Sequence, residues 1–256
     1  MSSFKRLYID LEVSPNIVLS WRTGYKINIS HEDIIQERAI ICICYKWEGD
    51  KQINSMRWDK GDDKELVTKF SKILLQADEI VAHNGDRFDV KWLRTRCLYH
   101  GVPCPADLKT IDTLKLAKSN MLFNSNKLDY IGEFLGLGKK LKTNYDLWKN
   151  ILLNNSKKAM DEMVEYCKRD VELLEQVHHK LINYSKHKTH VAVHKGGLRI
   201  DCPSCGSENT QNRGYAVTAA GVKKQRCQCQ DCGKWFTVAN TTYNKELQEK
   251  QRQDII

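Results

Sequence analysis

No stretch of this 256-residue chain is apolar for long enough to cross a membrane. The opening Met1-Ser2-Ser3-Phe4-Lys5-Arg6 leads into no extended apolar run of the kind that marks an export signal. These two absences argue against a membrane-spanning helix and a secretory signal, and the expected location is cytoplasmic. Acidic residues are the minority, with 32 Asp and Glu against 41 Lys and Arg and a net charge of +9. A basic surface gains affinity for a polyanion by releasing its condensed counterions, so the balance suits a nucleic-acid partner without demanding one.

The cysteines are unevenly placed. Cys202, Cys205, Cys227, Cys229 and Cys232 fall close together, while Cys42, Cys44, Cys97, Cys104 and Cys167 lie scattered among apolar neighbours. Without an export signal, this distribution favours reduced thiols and a metal cluster over disulfides.

Leu7-Tyr8-Ile9-Asp10-Leu11-Glu12 reads as a strand whose alternation sets Asp10 and Glu12 on one face. Residues 13–38 are too polar for a core element. Ala39 to Trp47 predicts a buried strand, paired in a hairpin with Gln52 to Trp58; Cys42 and Cys44 on it are expected to be small core residues. Asp62 and Glu65 open a helix carrying Leu66, Val67, Phe70, Ile73 and Leu74 at helical spacing. A short strand, Glu79 to His83, precedes a turn and a helix from Arg87 to His100 that Gly101 ends. Leu108 to Ile111 predicts a further strand, and Lys127 to Leu135 a helix. The longest helix, from about Ser156 to Tyr184, carries one apolar stripe: Met160, Met163, Val164, Cys167, Val171, Leu174, Val177 and Leu181. Antiparallel opening strands followed by alternating strands and helices predict an α/β fold with a mixed sheet flanked by helices.

Three acidic motifs occur in order. Asp10-x-Glu12 ends the first strand, Asn84 to Phe88-Asp89 follows a later strand, and Tyr166-x-x-x-Asp170 lies on the long helix, where that spacing puts both residues on one face. The set resembles the ribonuclease H-like 3′-5′ exonucleases of the DEDD (DnaQ-like) group. Tyrosine four residues before the last aspartate is similar to the tyrosine subtype, close to the proofreading domains of B-family DNA polymerases and their stand-alone phage relatives. The resemblance implies cleavage at DNA 3′ ends with two Mg²⁺ or Mn²⁺ ions. In it Asp10 bridges both ions, Glu12 and Asp170 complete the water-activating one, Asp89 assists the other, and Tyr166 orients the attacking water. It also implies replication or repair proteins as partners. No polymerase region follows, so proofreading would be supplied in trans.

The residue types suit that chemistry. Hydrolysing a phosphodiester needs a hydroxide nucleophile near neutral pH and shielding of the phosphoryl oxygens, which two hard cations about 4 Å apart provide through carboxylate ligands. Around the motifs, Asn84 either contacts substrate or caps the helix, Asp112 is expected as a helix cap, and Asp86 as a turn residue. Phe88, read as an apolar anchor, favours Asp89 over Asp86 as the carboxylate that faces the metal.

Cys202-Pro203-Ser204-Cys205-Gly206 and Cys229-Gln230-Asp231-Cys232-Gly233 are two Cys-x-x-Cys-Gly knuckles, a pattern that offers four sulfurs to one structural Zn²⁺. Cys227 adds a fifth thiol that could take the place of Cys229. Residues 213–225 predict a hairpin turning at Gly221, and Trp235-Phe236-Thr237 a strand. The segment resembles the zinc ribbons of DNA-associated proteins; Lys223, Lys224, Arg226 and Lys234 suit nucleic-acid contact, with a purely structural or protein-binding ribbon as the other reading. The expected organisation is a nuclease domain over 1–187, a basic linker over 188–199 holding His190 and His194, the ribbon over 200–240, and a polar tail over 241–256 forming a frayed helix. Two other readings remain open: a structure-specific endonuclease on the same fold, and a non-catalytic nucleic-acid-binding adaptor.

Overall fold

The structure is a computed structural model that describes residues 4–138 and 144–253. The chain divides into two compact units: Lys5–Val177, and His178 onward together with the extreme N-terminus.

The first unit is built on β1 (Arg6–Val13), whose alternation decides the layering. Leu7, Ile9 and Leu11 point to one side and enter a core with Ile43, Leu66, Phe70, Ile80 and Leu93. The residues between them serve the other side. A two-stranded ribbon, β2 (Ile17–Val18) and β3 (Ile34–Gln36), occupies part of the stretch expected to be irregular. Two strands, β4 (Ile40–Trp47) and β5 (Asn54–Arg57), follow as the expected hairpin. Next come α1 (Lys64–Leu74), β6 (Glu79–Ala82), α2 (Asp89–His100), β7 (Thr110–Asp112), α3 (Thr113–Asn120), α4 (Leu128–Phe134), α5 (Tyr145–Asn154) and α6 (Lys157–Leu181).

The five-stranded sheet has the order β5-β4-β1-β6-β7. Pairing is antiparallel from β5 to β1 and parallel from β1 to β7, the mixed sheet that the sequence pattern predicts. All eight stripe residues of α6 are buried. Two ion pairs tie α6 to the hairpin: Lys46 with Glu175, and Arg57 with Asp161 at 2.7 Å. Cys44 donates to the Val164 carbonyl at 3.6 Å, so α6 lies over the face of the sheet that carries Asp10 and Glu12.

In the second unit α7 (Val191–His194) is followed by a three-stranded sheet of β8 (Thr210–Val217), β9 (Lys223–Cys229) and β10 (Trp235–Ala239) in the order β10-β9-β8, and by α8 (Asn240–Gln253). The hairpin turns at Gly221, whose φ of 75° is the left-handed conformation such a turn requires. Two segments expected to be little ordered carry structure here. The basic linker contains the helical turn α7, capped by the His190 side chain, with Val191 and Ala192 buried. The polar tail is a packed helix, because Glu246 accepts the Arg199 and Ile200 amides at 2.7 and 3.1 Å and Lys250 pairs with buried Asp201 at 2.9 Å.

Candidate active site

β1 delivers its carboxylates at the C-terminal end of the strand, where a bulge between Glu12 and Val13 breaks the ladder with β4. Bulges re-aim side chains and are common beside active sites. Register pairs Asp10 with Cys44 and Glu12 with Cys42, small neighbours that leave room for the acidic side chains. From α6 comes Asp170, which is buried, and one ligand oxygen from each of Asp10, Glu12 and Asp170 lies within 4.8 Å of the others. Tyr166, also buried, sits one turn earlier on the same helix.

Asp89 reaches the site from the opposite layer as the first residue of α2, and it is 3% exposed. It lies outside the three-residue cluster but within its field. Burial, then the negative charge of Asp10, push its carboxyl well above the usual range, while a hydrogen bond from the Leu11 amide counts in the other direction. Its Oδ1 atom is buried without a hydrogen-bond partner. An orphan carboxylate oxygen facing other carboxylates is a costly arrangement that a cation would relieve. Donor set, crowding and orphan oxygen together fit hard divalent cations held by Asp10, Glu12, Asp170 and Asp89.

The turn that carries Asp89 is shaped by its neighbours. Asn84 adopts φ 66°, a left-handed conformation that asparagine tolerates, and its carbonyl accepts the Arg87 and Phe88 amides. Gly85 is required next, because a Cβ there would meet the Ala82 Cβ at 2.4 Å. Asp112 caps α3 through the Leu114 and Lys115 amides, as expected, and also accepts the Asn84 amide at 3.0 Å, fastening the turn to β7. Asp86 pairs with Lys115 at 2.6 Å, while the charge of Asp10 acts on Asp89. Phe88 does not act as a buried anchor: it is 38% exposed and stacks edge-on against Trp92 at 6.5 Å. The anchor of α2 is apolar Val90 and Leu93 instead.

In the second unit the sulfurs of Cys202, Cys205, Cys229 and Cys232 come together within 4.8 Å. Cys202 and Cys232 are 3.6 Å apart, and Cys205 and Cys229 are 3.7 Å apart. A tetrahedron with Zn–S of about 2.3 Å has an edge of about 3.8 Å, so the donors fit zinc. Cys227 is elsewhere, in an apolar core with Ile200, Phe236 and Val238, where burial pushes its thiol up to about 11. The structure thus brings Cys229, not Cys227, into the cluster. Among the named cations, Lys223 lies over the Tyr215 ring at 3.8 Å and Arg226 over Trp235 at 5.2 Å, both rings being half exposed. Lys224, half-buried, neighbours Ala239 across the strand pair. Lys234 is not a surface cation: it is buried and donates to the Asn183 and Ser185 carbonyls.

Residues 32–182, more than half of the chain, match the RNase_H superfamily. The chain belongs to the RNase_H superfamily. The matched stretch of this superfamily member contains Asp89, Tyr166 and Asp170 and begins after Asp10 and Glu12, which β1 adds to the same site. Among solved structures, it is similar to the family B DNA polymerase of the hyperthermophilic archaeon Pyrobaculum calidifontis, with 17% identity, a TM-score of 0.55, and coverage of 71% of this chain and 25% of the polymerase. At that identity the likeness is one of fold, and the matched region spans a quarter of the polymerase's length. No curated protein matches the chain.

Sequence reasoning missed two supports of the site. Cys167 sits beneath Asp10, and Asp112 holds the Asn84 turn. Cys167 was legible only as one member of an apolar stripe, and Asp112 only as a cap; each second contact crosses between elements distant in sequence.

Proposed function

We propose that this RNase_H superfamily member is a metal-dependent 3′-5′ exonuclease that hydrolyses phosphodiester bonds at DNA 3′ ends. The observation that carries the reading is the convergence of Asp10, Glu12 and Asp170 within 4.8 Å, with buried Asp89 in electrostatic contact with Asp10. Mg²⁺ or Mn²⁺ bound there supplies a hydroxide nucleophile near neutral pH and shields charge developing on the phosphate oxygens. Asp10 belongs to the cluster with Glu12 and Asp170 and its charge acts on Asp89, so in this reading it would help hold both cations. Tyr166 brings a hydroxyl one helical turn from Asp170, and its role is to orient the attacking water. The buried walls from Cys42, Cys44 and Cys167 hold the carboxylates in place and keep bulk water from their strand side. Asn84 fixes the loop that presents Asp89, and in this reading its side chain would contact substrate.

The four-cysteine cluster is a structural zinc site in this reading, and the small sheet above it assists nucleic-acid binding. Lys223, Lys224 and Arg226 provide phosphate contacts beside the Tyr215 and Trp235 rings, the pairing of cation and aromatic that single strands use.

Incubation with 3′- and 5′-labelled single strands, duplexes and RNA in Mg²⁺ or Mn²⁺ tests the reading. Stepwise shortening from DNA 3′ ends is expected. Internal cuts at junctions would instead establish a structure-specific endonuclease, and binding without cleavage would establish an adaptor.

A further inference from the structure

The ribbon formed by β2 and β3 has no role in the site described above. It is rooted directly on the carboxylate strand: Ser14, two residues after Glu12, exchanges hydrogen bonds with Ala39 at 2.9 and 3.0 Å, and the Arg38 amide donates to Asn16 at 3.1 Å. Beyond that neck, Ile17 pairs with Gln36 and Val18 with Ile34, and the Leu19 amide closes on the Asp33 carbonyl at 3.0 Å. The neck of the ribbon is therefore closed by one backbone hydrogen bond and two amide-to-side-chain bonds, immediately beyond the ends of β1 and β4.

Its tip exposes several large apolar side chains close together in sequence. Leu19 is 71% exposed, Trp21 104% and Tyr25 93%, with Ile27 and Ile29 also exposed. Large aromatic side chains fully in water are costly unless something covers them, and an exposed patch of this kind marks an interaction surface. Arg22 and Lys26 are interleaved with the rings, and no acidic residue lies between Leu19 and Ser30. Gly24, at φ 147°, and Lys26, at φ 67°, form the turn that presents Tyr25, and the Lys26 ammonium lies 5.7 Å from the Tyr25 ring centre. The acidic residues of the segment, Glu32, Asp33 and Glu37, are confined to its base, where Asp33 accepts the Ser30 amide at 3.1 Å.

Trp, Tyr and Arg also anchor protein interfaces, but a stretch with cations and no carboxylate is complementary to a polyanion. Rings alternating with cations, without a carboxylate, match a strand of stacked bases joined by phosphates. Trp21 is nine residues from Glu12, a reach of at most about 30 Å, so a strand seated on the tip runs within a few nucleotides of the carboxylates. We propose that the β2–β3 ribbon is a single-strand-binding arm, with Trp21 and Tyr25 stacking on bases and Arg22 and Lys26 contacting phosphates, that feeds the strand to the carboxylate site. The destination of the strand rests on the nuclease reading; the binding surface does not.

The test uses the full chain with Asp10→Ala as common background, and a fluorescein-labelled oligo(dT) longer than the roughly 4–16 nucleotides that a single-strand groove covers. Replacing Trp21 and Tyr25 together by Ala is expected to weaken binding roughly tenfold or more, as loss of base stacking does. Replacing Arg22 and Lys26 by Gln is expected to flatten the dependence of log affinity on log salt by about 0.7 for each lost phosphate contact. Because all four side chains are at the tip, both variants are expected to keep the parent's thermal midpoint. Should the aromatic variant fail to fold, the charge variant still decides. Unchanged affinity with an unchanged salt slope overturns the proposal. So does a change from oligomer to monomer in sedimentation with DNA affinity intact, which would make the tip a contact between copies. A chain with Asp10 intact that cleaves nothing, while binding is still lost in these variants, would remove the nuclease reading and leave the arm standing.

Discussion

The Cys167 thiol donates to the Asp10 carbonyl at 3.3 Å, a contact that fastens α6 to β1 at the very residue whose side chain belongs to the carboxylate cluster. Tyr166 and Asp170 flank Cys167 on that helix, so this one contact sets the register between two halves of the site. Replacing Cys167 by Leu is expected to overpack the interface at a cost of about 1–3 kcal/mol and to lower kcat by displacing Asp170. Cys167→Ala loses little volume and is expected to cost about 1 kcal/mol and to retain most activity. Urea unfolding and cleavage kinetics on the two variants check this, and equal kcat in both would remove Cys167 as a positioning residue.

Crowded carboxylates predict a second result. Asp10→Ala or Asp170→Ala is expected to abolish cleavage without loss of thermal stability, since each removes like-charge repulsion along with a ligand. Mg²⁺ or Mn²⁺ is expected to raise the midpoint of the wild type by a few degrees and to leave Asp10→Ala unmoved. Wild-type rates in either variant would show that the cluster is not the active site.

Away from the site, Asp63 is buried and bonded by Arg96 at 2.6 and 2.8 Å, by the Ile40 amide at 2.9 Å and by His100 at 2.7 Å. Burial alone would raise its carboxyl, but these hydrogen bonds outweigh burial and hold it below the ordinary value. A depressed carboxylate contributes stability that is complete above the unfolded value of about 3.9 and is lost as pH falls below it. Asp63→Ala strands the largely buried Arg96 and is expected to cost about 3–5 kcal/mol near neutral pH. That difference should shrink in unfolding measurements carried from pH 7 into the acid range; a constant difference would mean that the charge of Asp63 is not what matters.

Separation of Cys227 from the other four sulfurs distinguishes two substitutions in one small unit. Cys202→Ser is expected to lower zinc content, measured by elemental analysis, from about one ion per chain. Cys227→Ser is expected to keep the ion while losing about 1–3 kcal/mol, because it buries a hydroxyl among Ile200, Phe236 and Val238. Zinc loss in the second variant and not in the first would reverse the assignment.

The sequence by itself determined the elements that depend on neighbours along the chain. Alternation in 7–12 fixes which residues of β1 share a face, the stripe from Met160 to Leu181 fixes the buried side of α6, and the knuckle spacing fixes two pairs of sulfurs. Helix ends were legible where one residue decides them, as at Gly101, the left-handed cap of α2. What tertiary structure alone decided are contacts between distant segments. It turned Asp86 to Lys115 and left Asp89 beside Asp10. It placed Phe88 at the surface, buried Lys234 under carbonyls that only folding brings near, and docked α8 through Glu246. Above all, it drew Glu12 and Asp170 together across the sheet and helix layers. No local preference encodes such a distance, because it follows from burying the Leu7–Leu11 face of β1 against one layer and the α6 stripe against the other.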